Sequence, residues 1–106
     1  MSSDKLQRLL EFVEKSPDSP FPRYALAMEC RNRGMHEKAL ENFRTLVLQH
    51  PDYTATYLQF GLALIEFGEA EQAAEILRTG IEIAGKNGDQ HARDELSGAL
   101  RQLEEE

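Results

Sequence analysis

Apolar side chains recur at helical spacing in six blocks along this chain. Each block closes on a glycine, a proline or the C-terminus. In the first, residues 3–15, Leu6, Leu9, Leu10 and Val13 fall at i, i+3, i+4 and i+7, one stripe of an amphipathic helix, and Phe12 extends it. Ser3 or Asp4 supplies its N-cap, and the run from Ser16 to Pro20 stops it, because each proline disfavours helix in the residue before it. The second block predicts a helix over 20–33, with Pro20 or Pro22 in its first turn and Leu26, Ala27 and Cys30 turned inward. Tyr24, Met28 and Arg31 lie on an adjacent face, and Gly34 supplies a left-handed residue to end the helix. A helix over 36–49 follows, carrying Ala39, Leu40, Phe43, Leu46 and Val47 and stopping at His50-Pro51. Residues 54–67 carry Tyr57, Phe60, Gly61 and Leu64 up to Gly68. Residues 70–84 carry Ala73, Ala74, Leu77, Ile81 and Ala84 up to Gly85. After the polar turn Lys86–Asp89, a last helix over about 90–104 presents Leu96, Leu100 and Leu103 with Ala99 beside them. Its three closing glutamates place negative charge at the negative end of the helix dipole, so its final turn is expected to fray.

The third and fifth blocks are two copies of one pattern. GMHEKALENFRTL at 34–46 recurs as GEAEQAAEILRTG at 68–80, an offset of 34 residues. Gly34/Gly68, Glu37/Glu71, Ala39/Ala73, Glu41/Glu75, Arg44/Arg78 and Thr45/Thr79 are identical pairs, and Leu26/Phe60, Ala27/Gly61 and Phe43/Leu77 keep their character. The identities sit at a turn glycine and along one helical face, where a stacked unit needs them. Gly61 and Gly80 fall inside helices at a cost of up to about 1 kcal/mol each against alanine, so a neighbouring helix is expected to approach closely there.

A 34-residue period with two helices per unit resembles the tetratricopeptide repeat family. The first repeat, 20–53, matches with Leu26-Ala27, Cys30, Gly34, Ala39, Phe43, Leu46 and Pro51. The second, 54–87, matches with Tyr57, Phe60-Gly61, Leu64, Gly68, Ala73, Leu77, Gly80 and Gly85. Arg23 stands where that family places its first aromatic, Cys30 replaces the second, and Gly85 replaces the closing proline. The final helix fits with two residues inserted, since Leu96-Ser97 and Leu100 follow Phe60-Gly61 and Leu64 at an offset of 36; it reads as a capping helix. Leu9, Phe12 and Pro17, 34 residues before Phe43, Leu46 and Pro51, make the first helix the second half of a preceding repeat. The resemblance implies an all-α fold, an α-α superhelix of about six antiparallel helices in one domain, 1–106. Two helix-turn-helix repeats would be flanked by an N-terminal helix, 3–15, and a capping helix, 89–104.

Composition narrows the function classes. With 106 residues, 41% hydrophobic and 29% charged, the chain is of ordinary globular make-up. A net charge of −7 argues against nucleic acid and anionic membrane surfaces as partners. Taking Asp and Glu against Lys and Arg, residues 1–19 carry −1, 20–53 carry +1, 54–87 carry −3 and 88–106 carry −4, so only the first repeat escapes the acidic balance. No apolar run approaches the roughly 20 residues that span a bilayer, and no signal-peptide layout opens the chain. The single cysteine allows no intrachain disulfide, and a cytoplasmic location is the default expectation.

No metal site, cofactor site or catalytic constellation is expected. His36, His50 and His91 belong to different segments, and His91 with Asp94 and Glu95 reads as a solvated polar face. Cys30 falls at a core position, where thiols behave as small hydrophobes. No phosphate-binding glycine loop, nucleophile elbow or paired carboxylates occur, and the chain is read as a non-enzyme.

The resemblance then points to a groove. Family members bind peptides on the concave face lined by the first helix of each repeat. The matching positions here are Phe21, Tyr24, Met28, Arg31 and Asn32 in the first repeat, and Ala55, Leu58, Leu62, Ile65 and Glu66 in the second. For Leu62 and Ile65, packing under the capping helix weighs equally. Tyr24 and Met28 suit an adaptable contact surface, and Arg31, with Arg23 and Arg33, adds a basic edge. The expected ligand is a short apolar peptide with some acidic character. Tyr24 and Met28 also stand where some relatives carry the lysine and asparagine that clamp a chaperone's C-terminal carboxylate, which argues against that specificity. The reading is thus a protein-binding adaptor or scaffold. The alternative is a self-associating protein whose apolar terminal helices make a homo-oligomer, with the 3–15 helix as the exchanging element.

Overall fold

Buried side chains recur along the chain at the helical period that the sequence predicts. The structure, a computed structural model, describes residues 3–106, with side chains from Lys5 onward, so the expected caps Ser3 and Asp4 have side chains outside the described residues. Among the described residues there are six α-helices and no strand: α1 (Ser3–Lys15), α2 (Pro20–Asn32), α3 (His36–Gln49), α4 (Ala55–Glu66), α5 (Ala70–Lys86) and α6 (Gln90–Glu105). The chain divides into two compact units, Met1–His50 and Pro51–Glu106.

In the first unit α2 packs on both α1 and α3. Leu26, Ala27 and Cys30 of α2 are buried, as are Ala39, Phe43 and Leu46 of α3. Pro20 opens α2, and Ser19 before it already holds extended dihedrals, φ −99° and ψ 132°. Leu6, Leu9 and Val13 of α1 are half-buried, but Leu10 and Phe12 are 40% and 43% exposed, so the buried row is narrower than expected and Phe12 does not extend it. The two stand at opposite edges of the row, Phe12 about 60° beyond Leu9 and Leu10 about 40° beyond Leu6. Glu29 of α2 is paired twice, at 2.7 Å to Nε of Arg33 and at 3.2 Å to Nζ of Lys5 in α1. The Arg33 hydrogen bond, then that of Lys5, holds the Glu29 carboxyl below its ordinary value. Because the folded value is the depressed one, this small contribution exists above the ordinary carboxylate range. It fades as pH falls through the lowered value.

In the second unit α4 and α6 both pack on α5 and on each other. Tyr57, Phe60 and Leu64 of α4, Ala73, Leu77 and Ala84 of α5, and Leu96 of α6 form its core. The Tyr57 hydroxyl donates to the carbonyl of Pro51 at 2.6 Å. Gly61 and Gly80 lie where a neighbouring helix comes close, as expected. A Cβ on Gly61 would come 2.5 Å from Leu77 Cδ2, and one on Gly80 would come 2.5 Å from Tyr57 Cβ.

Three glycines adopt positive φ: Gly34 at 74°, Gly68 at 83° and Gly88 at 71°. Each ends a helix with the same paired backbone bonds. At Gly34, its N–H donates to Arg31 O at 3.1 Å and Met35 N–H to Cys30 O at 2.9 Å. At Gly88, its N–H donates to Gly85 O at 3.2 Å and Asp89 N–H to Ala84 O at 2.9 Å. Gly85 is therefore not the stop that its spacing suggests. α5 continues through it to Lys86, and Gly88 performs the termination. Asp89 then caps α6 by accepting from Ala92 N at 3.0 Å. Thr54 donates to Asp89 at 3.4 Å and Asn87 donates to Asp52 O at 3.1 Å, fixing this turn to the start of the unit.

Candidate functional site

Buried positions on α2 leave the opposite side of the helix for other work. Leu26 and Cys30 mark the inward side, and at about 100° per residue Phe21, Tyr24, Met28, Arg31 and Asn32 fall together on the outward arc. Phe21 is 55% exposed and Asn32 is exposed, whereas Tyr24, Met28 and Arg31 are half-buried. The five expected residues of the first repeat therefore share one face: two aromatic rings, a thioether, a guanidinium and an amide.

The basic edge is narrower than the sequence suggested. Arg33 is held by Glu29. Arg23 lies on the other side of α2, where its Nη1 donates to Asn42 Oδ1 at 2.8 Å, and the Asn42 amide donates to Lys38 O at 2.9 Å. Of the three arginines, only Arg31 belongs to the outward arc.

On α4, Leu58, Leu62 and Ile65 also share a face, and all three are half-buried. Leu62 and Ile65 line a hollow of about 170 Å³ together with Ala99, Gln102, Leu103 and Glu106 from the end of the chain. Those two side chains are thus beside α6, and Leu58 is not part of that hollow.

A larger hollow, about 390 Å³, went unread in the sequence. Leu6, Leu10, Val13 and Glu14 of α1 line it with Arg23, Leu26 and Cys30 of α2, and with Met35, Lys38, Glu41 and Asn42. Burial pushes the Cys30 thiol up from its ordinary value, so it carries little thiolate at neutral pH. The readable signal was a paired departure between repeats: positions 23 and 42 hold Arg and Asn where 57 and 76 hold Tyr and Ile. Arg23→Ala is expected to cost about 1–3 kcal/mol, because it strips the partner from the Asn42 carbonyl oxygen, in a residue only 8% exposed. Arg23→Tyr together with Asn42→Ile, which imports the second repeat's pair, should recover most of that loss. Urea melts of the single and double variants measure the coupling, and simple additivity would show that the two positions act independently.

Other titratable groups do not converge. His91 is exposed beside Glu95 at 3.3 Å, while Asp94 accepts from Gln90 at 2.7 Å. Among the described residues, no three of His, Cys, Asp and Glu are grouped to hold a metal ion, and no helix is long and apolar enough to cross a membrane.

Comparison with known proteins agrees with this architecture. The family model described as Tetratricopeptide repeat matches residues 32–103. A TPR repeat-containing protein of Pseudomonas aeruginosa is 27% identical over 99 residues, covering 93% of this chain and 94% of its own. The crystal structure of a tetratricopeptide repeat domain protein from Salinibacter ruber is 35% identical, with a TM-score of 0.76 over 81% of this chain and 97% of that one. The solution structure of a Bordetella parapertussis protein superimposes with a TM-score of 0.80 over 94% of this chain and 87% of its own; at 24% identity that likeness concerns the fold alone.

Proposed function

This chain belongs to the tetratricopeptide repeat family, whose fold generally serves protein–protein interaction, and we propose that it is a non-catalytic adaptor holding a peptide segment of a protein partner. The observation that carries the reading is the outward arc of α2. Five side chains there follow the helical period as regularly as the core does, yet Phe21 keeps 55% of its surface open. Tyrosine and phenylalanine offer large contact area at little rotamer cost, and methionine adapts to irregular partners. Arg31 suits a carboxylate on the bound segment. The ligand class is an apolar peptide with some acidic character. On α4, Leu58 is the counterpart, and Leu62 and Ile65 divide their surface with α6.

The test is a quantitative pull-down comparing wild type with a Tyr24→Ala/Met28→Glu double variant, once circular dichroism shows the variant folded. Loss of contact residues at the centre of an interface costs about 2 kcal/mol or more, so bound partner should fall at least tenfold. Equal recovery by both proteins would remove the α2 face from consideration.

A further inference from the structure

We infer that Asn87 is a site of spontaneous deamidation, and that losing its amide unfastens the α5–α6 turn from the start of the second unit. Gly34, Gly68 and Gly88 end their helices with positive φ, and the residues before them are Arg33, Phe67 and Asn87. Of those three, only Asn87 has a side-chain carbonyl carbon that the next backbone nitrogen can attack through a five-membered ring. Ring closure forms the Gly88 N–Cγ bond, breaks the Cγ–Nδ2 bond and expels ammonia, the Gly88 amide proton leaving by way of water. Water then opens the imide, at Cγ to give aspartate or at the backbone carbonyl to give isoaspartate. No oxidant or further reactant is needed. Glycine obstructs the attack least, because no Cβ stands beside its nitrogen, and asparagine is among the thermolabile side chains.

The fold slows this reaction without preventing it. Asn87 holds φ −82° and ψ −6°, so Gly88 N must swing toward the Cβ side of Asn87 before it can attack. Two hydrogen bonds resist that swing: Gly88 N–H to Gly85 O at 3.2 Å, and the Asn87 amide to Asp52 O at 3.1 Å. Both lie in an open place. Residues 85–88 are all exposed, and a Cβ on Gly85 or Gly88 would meet nothing within 4 Å. A helix end held by solvent-exposed bonds, with no side chain buried in it, opens at low free energy. The other two asparagines lack this combination. Asn32 is exposed but precedes Arg33, while Asn42 precedes Phe43, is 8% exposed and is held by Arg23. The product then weakens the turn. Aspartate at 87 has no N–H to offer Asp52 O, and it adds negative charge at the negative end of α5, two residues from Asp89. Isoaspartate also inserts a backbone methylene just before Asp89, which caps α6. None of this depends on the outward arc of α2, so either inference can fail without the other.

The experiment uses the other two asparagines as internal controls. Folded, full-length protein is kept warm at neutral and at mildly alkaline pH, beside an isolated peptide of residues 79–93, and samples are mapped by mass spectrometry against a zero-time digest. Aspartate and isoaspartate should accumulate at Asn87, faster at the higher pH and more slowly than in the peptide, while Asn32 and Asn42 keep their amides. An intact Asn87 in the folded protein after the peptide has converted would overturn the proposal, and so would earlier loss at Asn32. The second measurement is a urea melt of Asn87→Asp beside Asn87→Gln, whose amide remains but closes a ring far less readily. Asn87→Asp should have the lower midpoint of the two. Equal midpoints would overturn the unfastening of the turn.

Discussion

Phe43→Ala is expected to destabilise the protein by about 3–5 kcal/mol, the largest loss from any single truncation in the first unit. Phe43 has no exposed surface and is, with Leu46, among the largest fully buried side chains there. Removing the ring forfeits its transfer free energy and leaves a void, which two packed helices close only in part. Urea unfolding followed by circular dichroism checks it, as a fall in midpoint with the slope unchanged. Leu48→Ala on the same helix is the control. That side chain is 83% exposed, and its loss should leave the midpoint within experimental scatter. A comparable loss from both would mean that the burial pattern of α3 is wrong.

Gly80→Ala is expected to cost about 2–3 kcal/mol, although alanine is the better helix former by about 1 kcal/mol. The new Cβ would meet Tyr57 Cβ at 2.5 Å and Leu96 Cδ2 at 3.1 Å. Tyr57 Cβ is fixed to the α4 backbone, so relief requires α4 and α5 to move apart, and Tyr57 is only 1% exposed. Gly61→Ala offers the contrast. Its Cβ would meet Cδ2 and Cγ of Leu77, at 2.5 and 2.8 Å, and a side-chain end can turn where a backbone cannot. Its expected loss is about 1 kcal/mol. Thermal or urea melts of both variants should keep that order, and the reverse order would contradict the packing described for Gly80.

Much of this architecture was written in local chemistry. Gly34 and Gly68 announce helix ends because only glycine enters the left-handed region cheaply, and both do so. The helices they bound fall within a residue or two of the expected limits, since the apolar period and the prolines agree everywhere. Gly85 misleads because a glycine near a helix end looks alike whether it terminates the helix or is carried through it. Gly88, three residues on, has the polar neighbours of a turn and takes the role. Leu10 and Phe12 mislead because they stand at the two edges of the α1 row, and a count of apolar residues does not say how much of that row α2 covers. At the candidate site, the outward arc of α2 is readable from period alone. Leu62 and Ile65 are not, because their exposure depends on where α6 comes to lie. Arg23 is hardest, since a charged side chain reads as surface until its acceptor, 19 residues away, is known.

The length of α5 bears on how this chain could be extended. α3 ends at Gln49, and the residue 34 places later is Ile83, yet α5 continues three residues further, to Lys86. Positions that leave the helix after α3, 50–52, are thus helix in α5, at 84–86. Each added residue advances the helix by about 1.5 Å and turns it by about 100°, so its exit points elsewhere. A designer who grafts a further 34-residue unit after Gly88 would launch it out of phase with the two before it. Trimming α5 back toward Ile83, and restoring a proline at the exit, is the splice that would keep a longer array in step.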